Sequence, residues 1–363
     1  MRFADQITDH GFIHPSLTDL PELANEERYE DTEESTEILR TLKHHLKMGF
    51  GKKQFANVVE KLVDCTKEQM PIVDDEMAYI LKWRKNVGKV YHFYTEWTNP
   101  KRKINAKTGN EICQKLYKKG WYACNSDGIE NAITKIVQPQ IDEMLAKPDW
   151  TPPIGVYDRS MPDYMNHEKV KSILQGWCED KGITKAVGSY FGSQGAGVIK
   201  ATLHVSKPTD KHLYQYYQDC KTTPITTNLH IDPKDGICKA ILYLKTIEED
   251  NGPIWFVDTS NRWERDPLMA IFARGLSTGC YCENPIARRS VFRLPSRIRH
   301  SFQFGRNLLD GSEQQKLILD KSTRITTSKH GNFVLFDPGN TMHTGGWPKE
   351  GYRANLQIQI KPW

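Results

Sequence analysis

The sequence lacks the long apolar stretches of a membrane-spanning protein. No segment approaches about 18 consecutive apolar residues, so the pattern excludes an apolar transmembrane helix. The first six residues lack the apolar run of a secretory signal peptide, and we therefore expect a cytoplasmic protein. The net charge of +5 is small for 363 residues and gives no sign of binding to nucleic acid or to a membrane surface.

Paired cysteines are also missing. The eight cysteines are spread along the chain, no CxxC pair occurs, and only Cys280 and Cys282 lie close together. A structural zinc site requires paired spacings of cysteine and histidine ligands, so the pattern speaks against one. We interpret the cysteines as reduced thiols in a reducing compartment.

Helical periodicity dominates the first third of the chain. Residues 1–40 form an acidic lead with 11 acidic and 3 basic residues, and residues 98–112 carry the turn signals of a polar, basic loop. Between them, three stretches have apolar residues at helical spacing, the last over 74–97. The stripes of the first two are Ile38, Leu39, Leu42, Leu46, Phe55, Val58, Val59, Leu62 and Val63. We predict a helical N-terminal extension, residues 1–112, that wraps the remainder, forms a dimer interface or binds a partner.

The remainder, residues 113–363, changes from helices to strands. Amphipathic helices are predicted around residues 129–145 and 167–180. Short β-branched or alternating segments follow at 197–205, 237–244, 254–257, 333–336 and 354–360. This order predicts an α+β domain built on a helix-backed β-barrel or a roll of two sheets.

One short motif offers two metal ligands on one side of a strand. His230-Ile231-Asp232 is the only His-x-Asp triplet among the twelve histidines. Alternate side chains of a strand point the same way, so His230 and Asp232 share a face. Two histidines and one carboxylate, with three open positions, form the ligand set of non-haem Fe(II) oxygenases. The triplet alone also fits a strand-end histidine followed by an aspartate that caps the next turn.

The C-terminal segment adds a histidine and an arginine. An apolar strand and a glycine-containing turn lead to His343, and Arg353 follows ten residues later. From there the sequence alternates, and its polar face consists of Arg353, Asn355, Gln357 and Gln359. Such a face suits either a solvated sheet or a barrel lumen. Arginine is the side chain suited to bind a carboxylate through two parallel hydrogen bonds.

Together these features resemble the Fe(II)- and 2-oxoglutarate-dependent oxygenases of the phytanoyl-CoA dioxygenase-like superfamily. The similarity rests on the His-x-Asp triplet, on GNFVLFDPGNTMHTGGW at 331–347 and on RANLQ at 353–357. KKGW at 118–121 and DNGPIW at 250–255 resemble further family elements, so the likeness covers about residues 113–363. It implies a double-stranded β-helix (jelly-roll) core backed by helices.

The resemblance also implies a ligand set and a reaction. His230, Asp232 and His343 are expected to bind Fe(II) as the catalytic residues, and Arg353 is expected to pair with the distal carboxylate of 2-oxoglutarate. The co-substrate would react with O2 to give succinate and CO2 while the substrate is oxidised. Related halogenases replace the acidic ligand by a small residue, so Asp232 favours hydroxylation, with desaturation or oxidative cyclisation as alternatives.

Two further residues are candidates for co-substrate binding. Lys200, in the strand that precedes the triplet, either adds positive charge to the 2-oxoglutarate site or is an exposed strand lysine. Asn228 shares a face with His230, so it either bonds a co-substrate oxygen or holds the turn.

An arginine-rich insert departs from the family pattern. His343 follows Asp232 by 111 residues, with the excess at about 258–330, and residues 262–306 contain nine arginines and no lysine. The insert is either a lid that grips an anionic substrate or a solvated, salt-bridged insertion. We therefore expect oxidation of a small anionic metabolite. The alternatives are an oxygenase acting on a protein or nucleic acid, and a jelly-roll binding protein without activity. No membrane partner is expected, and the oligomeric state stays open.

Overall fold

The computed structural model describes residues 29–49, 51–97, 109–146, 158–160, 168–207, 232, 236–258, 260, 323–346, 348 and 350–363, with scattered positions between 268 and 298. The predictions for His230, Asn228, Cys280 and Cys282 lie outside these residues. So do most of the acidic lead and most of the arginine-rich insert.

The chain combines helices with antiparallel strands, which agrees with the predicted α+β class. The helices are α1 Glu33–Met48, α2 Lys52–Gln69, α3 Asp74–Trp97, α4 Glu111–Lys119, α5 Ile129–Ala146, α6 Glu168–Asp180 and α7 Ile183–Phe191. The strands are β1 Trp121–Cys124, β2 Asp158–Ser160, β3 Ala196–Ser206, β4 Cys238–Tyr243, β5 Trp255–Val257, β6 Thr323–Ile325, β7 Phe333–Phe336, β8 His343–Thr344 and β9 Arg353–Pro362. Within the described residues, no helix is long and apolar enough to cross a membrane.

The first three helices form where the apolar stripes predict them. Thr32 and Ser35 cap α1 by reciprocal backbone-to-side-chain hydrogen bonds of 3.0 Å, which satisfy two amide groups that the first turn leaves open. The stripes of α1, α2 and α3 meet in one apolar cluster. That cluster also includes residues of the insert, namely Leu268, Met269, Ile271, Phe272, Leu294 and Ile298. The N-terminal helices and part of the insert therefore share a core.

A six-stranded antiparallel sheet, in the order β1-β7-β4-β9-β3-β2, forms the centre of the remaining chain. Strands β3 and β9 pair along most of their length, from Ala196 opposite Pro362 to Ser206 opposite Arg353. One face of the sheet packs against α4, α5, α6 and α7. The apolar face of β9 belongs to this side, with Ala354, Leu356, Ile358 and Ile360 all buried. The predicted alternation of β9 is therefore confirmed.

The opposite face of this sheet, called the inner face below, lies against a second sheet. That sheet has three strands in the order β6-β5-β8, with Phe256 of β5 opposite His343 of β8. Ile241 and Tyr243 of β4 pack with Phe256 between the sheets. Directly opposed residues of antiparallel strands share a face. Gln357, which is opposite Ile241, therefore lies on the inner face.

Several elements differ from the sequence-based expectation. Helices α4 and α7 and the short strands β1, β2, β6 and β8 are present although the pattern did not predict them. The four strands have two to four residues each, too few to show a period of their own. The predicted domain boundary between residues 112 and 113 falls inside α4 and stays a prediction.

Candidate metal and co-substrate site

His343 lies between the two sheets in a defined orientation. It is 5% exposed, and its ring centroid is 4.7 Å from that of Phe336 on β7. The Nδ1 atom is 2.8 Å from the carbonyl oxygen of Thr341. Because a carbonyl oxygen only accepts hydrogen bonds, Nδ1 carries the proton. In the neutral ring, the lone pair is then on Nε2, the arrangement that a metal-binding histidine needs.

The turn before His343 is fixed by hydrogen bonds to distant elements. Asp337 accepts a hydrogen bond of 2.7 Å from the Tyr190 hydroxyl of α7, and its own carbonyl accepts one of 2.8 Å from Thr341 N. Thr341 Oγ1 donates to the carbonyl of Gly120 at 2.9 Å. A Cβ at Gly120, where φ is +91°, would lie 2.3 Å from Thr341 Oγ1, so only glycine fits there. These positioning residues were not identified from the sequence, although the DPG turn (337–339) was visible.

Asp232, the carboxylate of the triplet, forms an ion pair with Lys239. Its backbone N–H donates to the carbonyl of Pro338 at 2.8 Å, which attaches it to the turn that delivers His343. Its Oδ2 atom contacts the Lys239 ammonium, and the two side chains are 11% and 13% exposed, respectively. Lys239 is the second residue of β4, and Phe336 is its cross-strand neighbour on β7. Asp232 and His343 therefore both lie beside Phe336.

Arg353 begins β9, and its guanidinium group is buried. Its Nη1 atom donates to the carbonyls of Gly252 and Gly346, the latter at 2.9 Å. Its Nη2 atom donates to Ser206 Oγ at 3.1 Å. Within the described part of the chain, the buried Nε–H has no hydrogen-bond partner. Three contacts thus hold the guanidinium in place while at least one donor stays available for an anion.

The inner face around Arg353 is polar but poorly exposed. Asn355 is 5% exposed, lies opposite Tyr243, and its Oδ1 atom has no partner among the described residues. Tyr243 is fully buried and accepts a hydrogen bond of 2.9 Å from Ile254 N. Burial raises the pKa of Tyr243, so its phenol stays protonated at neutral pH. Among the described neighbours of Arg353 on the inner face, the side chains of Asn355 and Tyr243 are therefore neutral.

Lys200 and Arg353 both lie on the inner face, but far apart along it. Lys200 is half-buried and opposite Gln359, which lies between Lys200 and Lys239. Lys200 is six positions along β3 from Ser206, the neighbour of Arg353, a span of roughly 20 Å. The predicted role of Lys200 at the co-substrate stays a prediction. Within the described part of the chain, no three histidine, cysteine, aspartate or glutamate residues form a metal-binding group, and His230 lies outside that part.

No protein-family model and no curated protein matches the chain. Among solved structures, the alpha-ketoglutarate-dependent carbocyclase SnoK from nogalamycin biosynthesis is 10% identical, with a TM-score of 0.41 over 71% of this chain and 86% of that one. The epimerase SnoN, solved with Fe3+, alpha-ketoglutarate and nogalamycin RO, is 12% identical, with a TM-score of 0.40 over 69% and 82%. EctD from S. alaskensis, solved with 2-oxoglutarate and 5-hydroxyectoine, is 12% identical, with a TM-score of 0.37 over 73% and 78%.

The three solved structures share one co-substrate, alpha-ketoglutarate (2-oxoglutarate). SnoK and SnoN are named as alpha-ketoglutarate-dependent, and EctD was solved with 2-oxoglutarate bound. With identities of 10–12% and TM-scores of 0.37–0.41, the likenesses carry no argument about the activity of this chain.

Proposed function

We propose that the chain is a cytoplasmic Fe(II)- and 2-oxoglutarate-dependent dioxygenase with a jelly-roll core. It oxidises a small anionic metabolite by hydroxylation, desaturation or oxidative cyclisation and releases succinate and CO2. The observation that carries the proposal is the buried guanidinium of Arg353, which is held by carbonyl oxygens yet keeps its Nε–H for an anion. A buried cation without an anion is costly, which supports a bound carboxylate at this position.

His343, Asp232 and His230 fit a metal ion. His343 offers Nε2 because Nδ1 is bonded to Thr341 O, and Asp232 offers a carboxylate beside the same turn. His230, which lies outside the described residues, is the second histidine of the set that the resemblance implies. Two imidazoles and one carboxylate favour Fe(II) over an ion that prefers only oxygen ligands. When bound, Fe(II) supplies the activation of O2, and the protein supplies ligand positions, a poorly hydrated space and the carboxylate anchor.

The separation between Arg353 and His343 suits a dicarboxylate. Arg353 bonds the carbonyl of Gly346, three residues after His343, and three residues span at most about 11 Å. 2-Oxoglutarate carries a carboxylate at each end, one suited to the guanidinium and the other to the metal ligands. The arginine contact supplies charge-assisted hydrogen bonds that fix the co-substrate.

The anionic nature of the substrate is supported by the composition of the insert rather than by a contact. Of the nine arginines at 262–306, Arg293 is paired with Glu76 and serves the fold. The remaining arginines keep the insert strongly basic, and arginine is the side chain suited to carboxylates and phosphates.

A spectrum recorded without oxygen tests the proposal. Addition of 2-oxoglutarate to the protein with Fe(II) is expected to produce a weak visible charge-transfer band. His343→Ala should abolish the band, and Arg353→Ala should weaken it by lowering the affinity for 2-oxoglutarate. The control is Arg40→Ala, which removes an arginine that is 73% exposed. If folded wild-type protein gives no band, the oxygenase proposal is wrong and a binding protein without activity takes its place.

A further inference from the structure

The ion pair between Lys239 and Asp232 is largely buried. Lys239 alternates along β4 with Cys238 and Ala240, which face the helices, so its side chain lies on the inner face. Its neighbours on the adjacent strands are Phe336 and Gln359. No carboxylate occupies either of these cross-strand positions. Within the described residues, Asp232 is the acidic group that contacts the ammonium.

Burial of these two charges requires an explanation. Both side chains are nearly nine-tenths buried, and transfer of a lysine ammonium and a carboxylate out of water costs free energy that the pair only partly recovers. Neutral residues of similar size would serve the packing of β4 equally well. The lysine is therefore best explained by what it does to Asp232.

We propose that Lys239 is a positioning residue that holds Oδ2 of Asp232 and thereby directs Oδ1 alone to the metal. This inference rests on the proposed function. A carboxylate that binds a metal through both oxygens occupies two positions, whereas the 2-His-1-carboxylate set needs three positions left open. An ammonium on Oδ2 keeps that oxygen from binding the metal as a second ligand atom. Contacts of this kind orient metal ligands and tune the site.

The proposal predicts a selective defect in Lys239→Met. Removal of the ammonium lets Asp232 use both oxygens and also removes a positive charge near the metal. The affinity for Co2+, used as a spectroscopic probe, should therefore stay equal or increase. The affinity of the Fe(II)-loaded protein for 2-oxoglutarate should fall by about 10- to 100-fold, because a position for the co-substrate is lost. A lysine that only supports the fold would change both affinities together.

Two further variants sharpen the experiment. Lys239→Gln keeps an N–H donor for Oδ2 without the charge, so it should recover most of the affinity for 2-oxoglutarate. Lys361→Met makes the same change as Lys239→Met at an exposed position of β9 and should behave as wild type. The measurements are Co2+ titration followed by its visible spectrum, 2-oxoglutarate titration of the Fe(II) form without oxygen, and thermal unfolding of each variant.

Each outcome decides the question. The proposal is overturned if Lys239→Met binds 2-oxoglutarate as wild type does, if it loses Co2+ and 2-oxoglutarate in parallel, or if Lys239→Gln recovers nothing. Should Lys239→Met fail to fold, Lys239→Leu takes its place: a folded variant with lowered 2-oxoglutarate affinity that Lys239→Gln recovers supports the proposal, and a folded variant with wild-type affinity refutes it. Wild-type protein that binds neither Co2+ nor 2-oxoglutarate would instead refute the proposed function, and the role of Lys239 with it.

Discussion

A buried ion pair joins helix α3 to the arginine-rich insert, and its removal is the sharpest test of how these two parts are held together. Arg293 Nε donates to Glu76 Oε2 at 3.0 Å, across 217 residues of sequence. The side chains are 11% and 4% exposed, so water screens neither charge effectively. Glu76→Met leaves the guanidinium buried without its carboxylate. The expected loss is about 3 to 5 kcal/mol of the free energy of unfolding.

Urea denaturation is the suitable assay, because guanidinium chloride would itself screen the charges. Arg293→Met should cost a similar amount, whereas the double variant Glu76→Met/Arg293→Met should return close to wild type, since two apolar side chains replace the pair. The control is Glu60→Met, which breaks the Arg84–Glu60 pair, where the side chains are 33% and 52% exposed. It should cost about 0 to 1 kcal/mol. A loss in Glu76→Met no larger than in Glu60→Met would refute the reasoning.

Two further predictions concern a glycine and a thiol. Gly331 has φ of +114°, and a Cβ there would lie 2.2 Å from the carbonyl oxygen of Cys124, so Gly331→Ala should cost about 2 to 4 kcal/mol in urea denaturation. Gly128→Ala, at φ of +87° but in open space, should cost only about 1 to 2 kcal/mol, and equal losses would contradict the argument. Burial raises the pKa of Cys178 from 9.0 to about 12, so its thiol ionises far more readily after unfolding. The buried thiol therefore contributes to stability below pH 9, and this contribution is lost as the pH rises to about 12. Cys178→Ala should reduce the fall in the free energy of unfolding over this pH range. An unchanged fall would show that burial of this thiol does not cause it.

The helices were predictable because their signal is local. The apolar spacing over 74–97 predicts α3, and the helix covers Asp74–Trp97. Strand β7 was likewise predicted with its observed ends, because four apolar residues lie between a glycine and the Asp-Pro-Gly turn. The spacing of apolar residues and the position of turn residues depend only on neighbours in sequence. They can therefore be recognised without knowledge of the tertiary structure.

The missed elements depend on partners far away in sequence. Strand β1 has four residues and exists because it pairs with β7, with Trp121 opposite Phe336. Arg293 could be read as a substrate contact or as a salt-bridged residue, and the choice required the position of Glu76, 217 residues earlier. Lys239 was not singled out at all, since a lysine in a strand carries no signal of the carboxylate that it meets. Long-range pairing of this kind is absent from a periodicity argument.

The polar face of β9 shows how structure decides between two readings that the sequence left open. A solvated sheet face would expose its polar residues, but Arg353 is 8% exposed and Asn355 is 5% exposed. Asn355 lies opposite Tyr243 of β4, which belongs to the apolar cluster between the sheets. Burial of a polar group beside such an apolar cluster costs free energy unless the group is hydrogen-bonded. Arg353 Nε and Asn355 Oδ1 are buried and have no partner among the described residues, which favours a barrel lumen over a solvated sheet face.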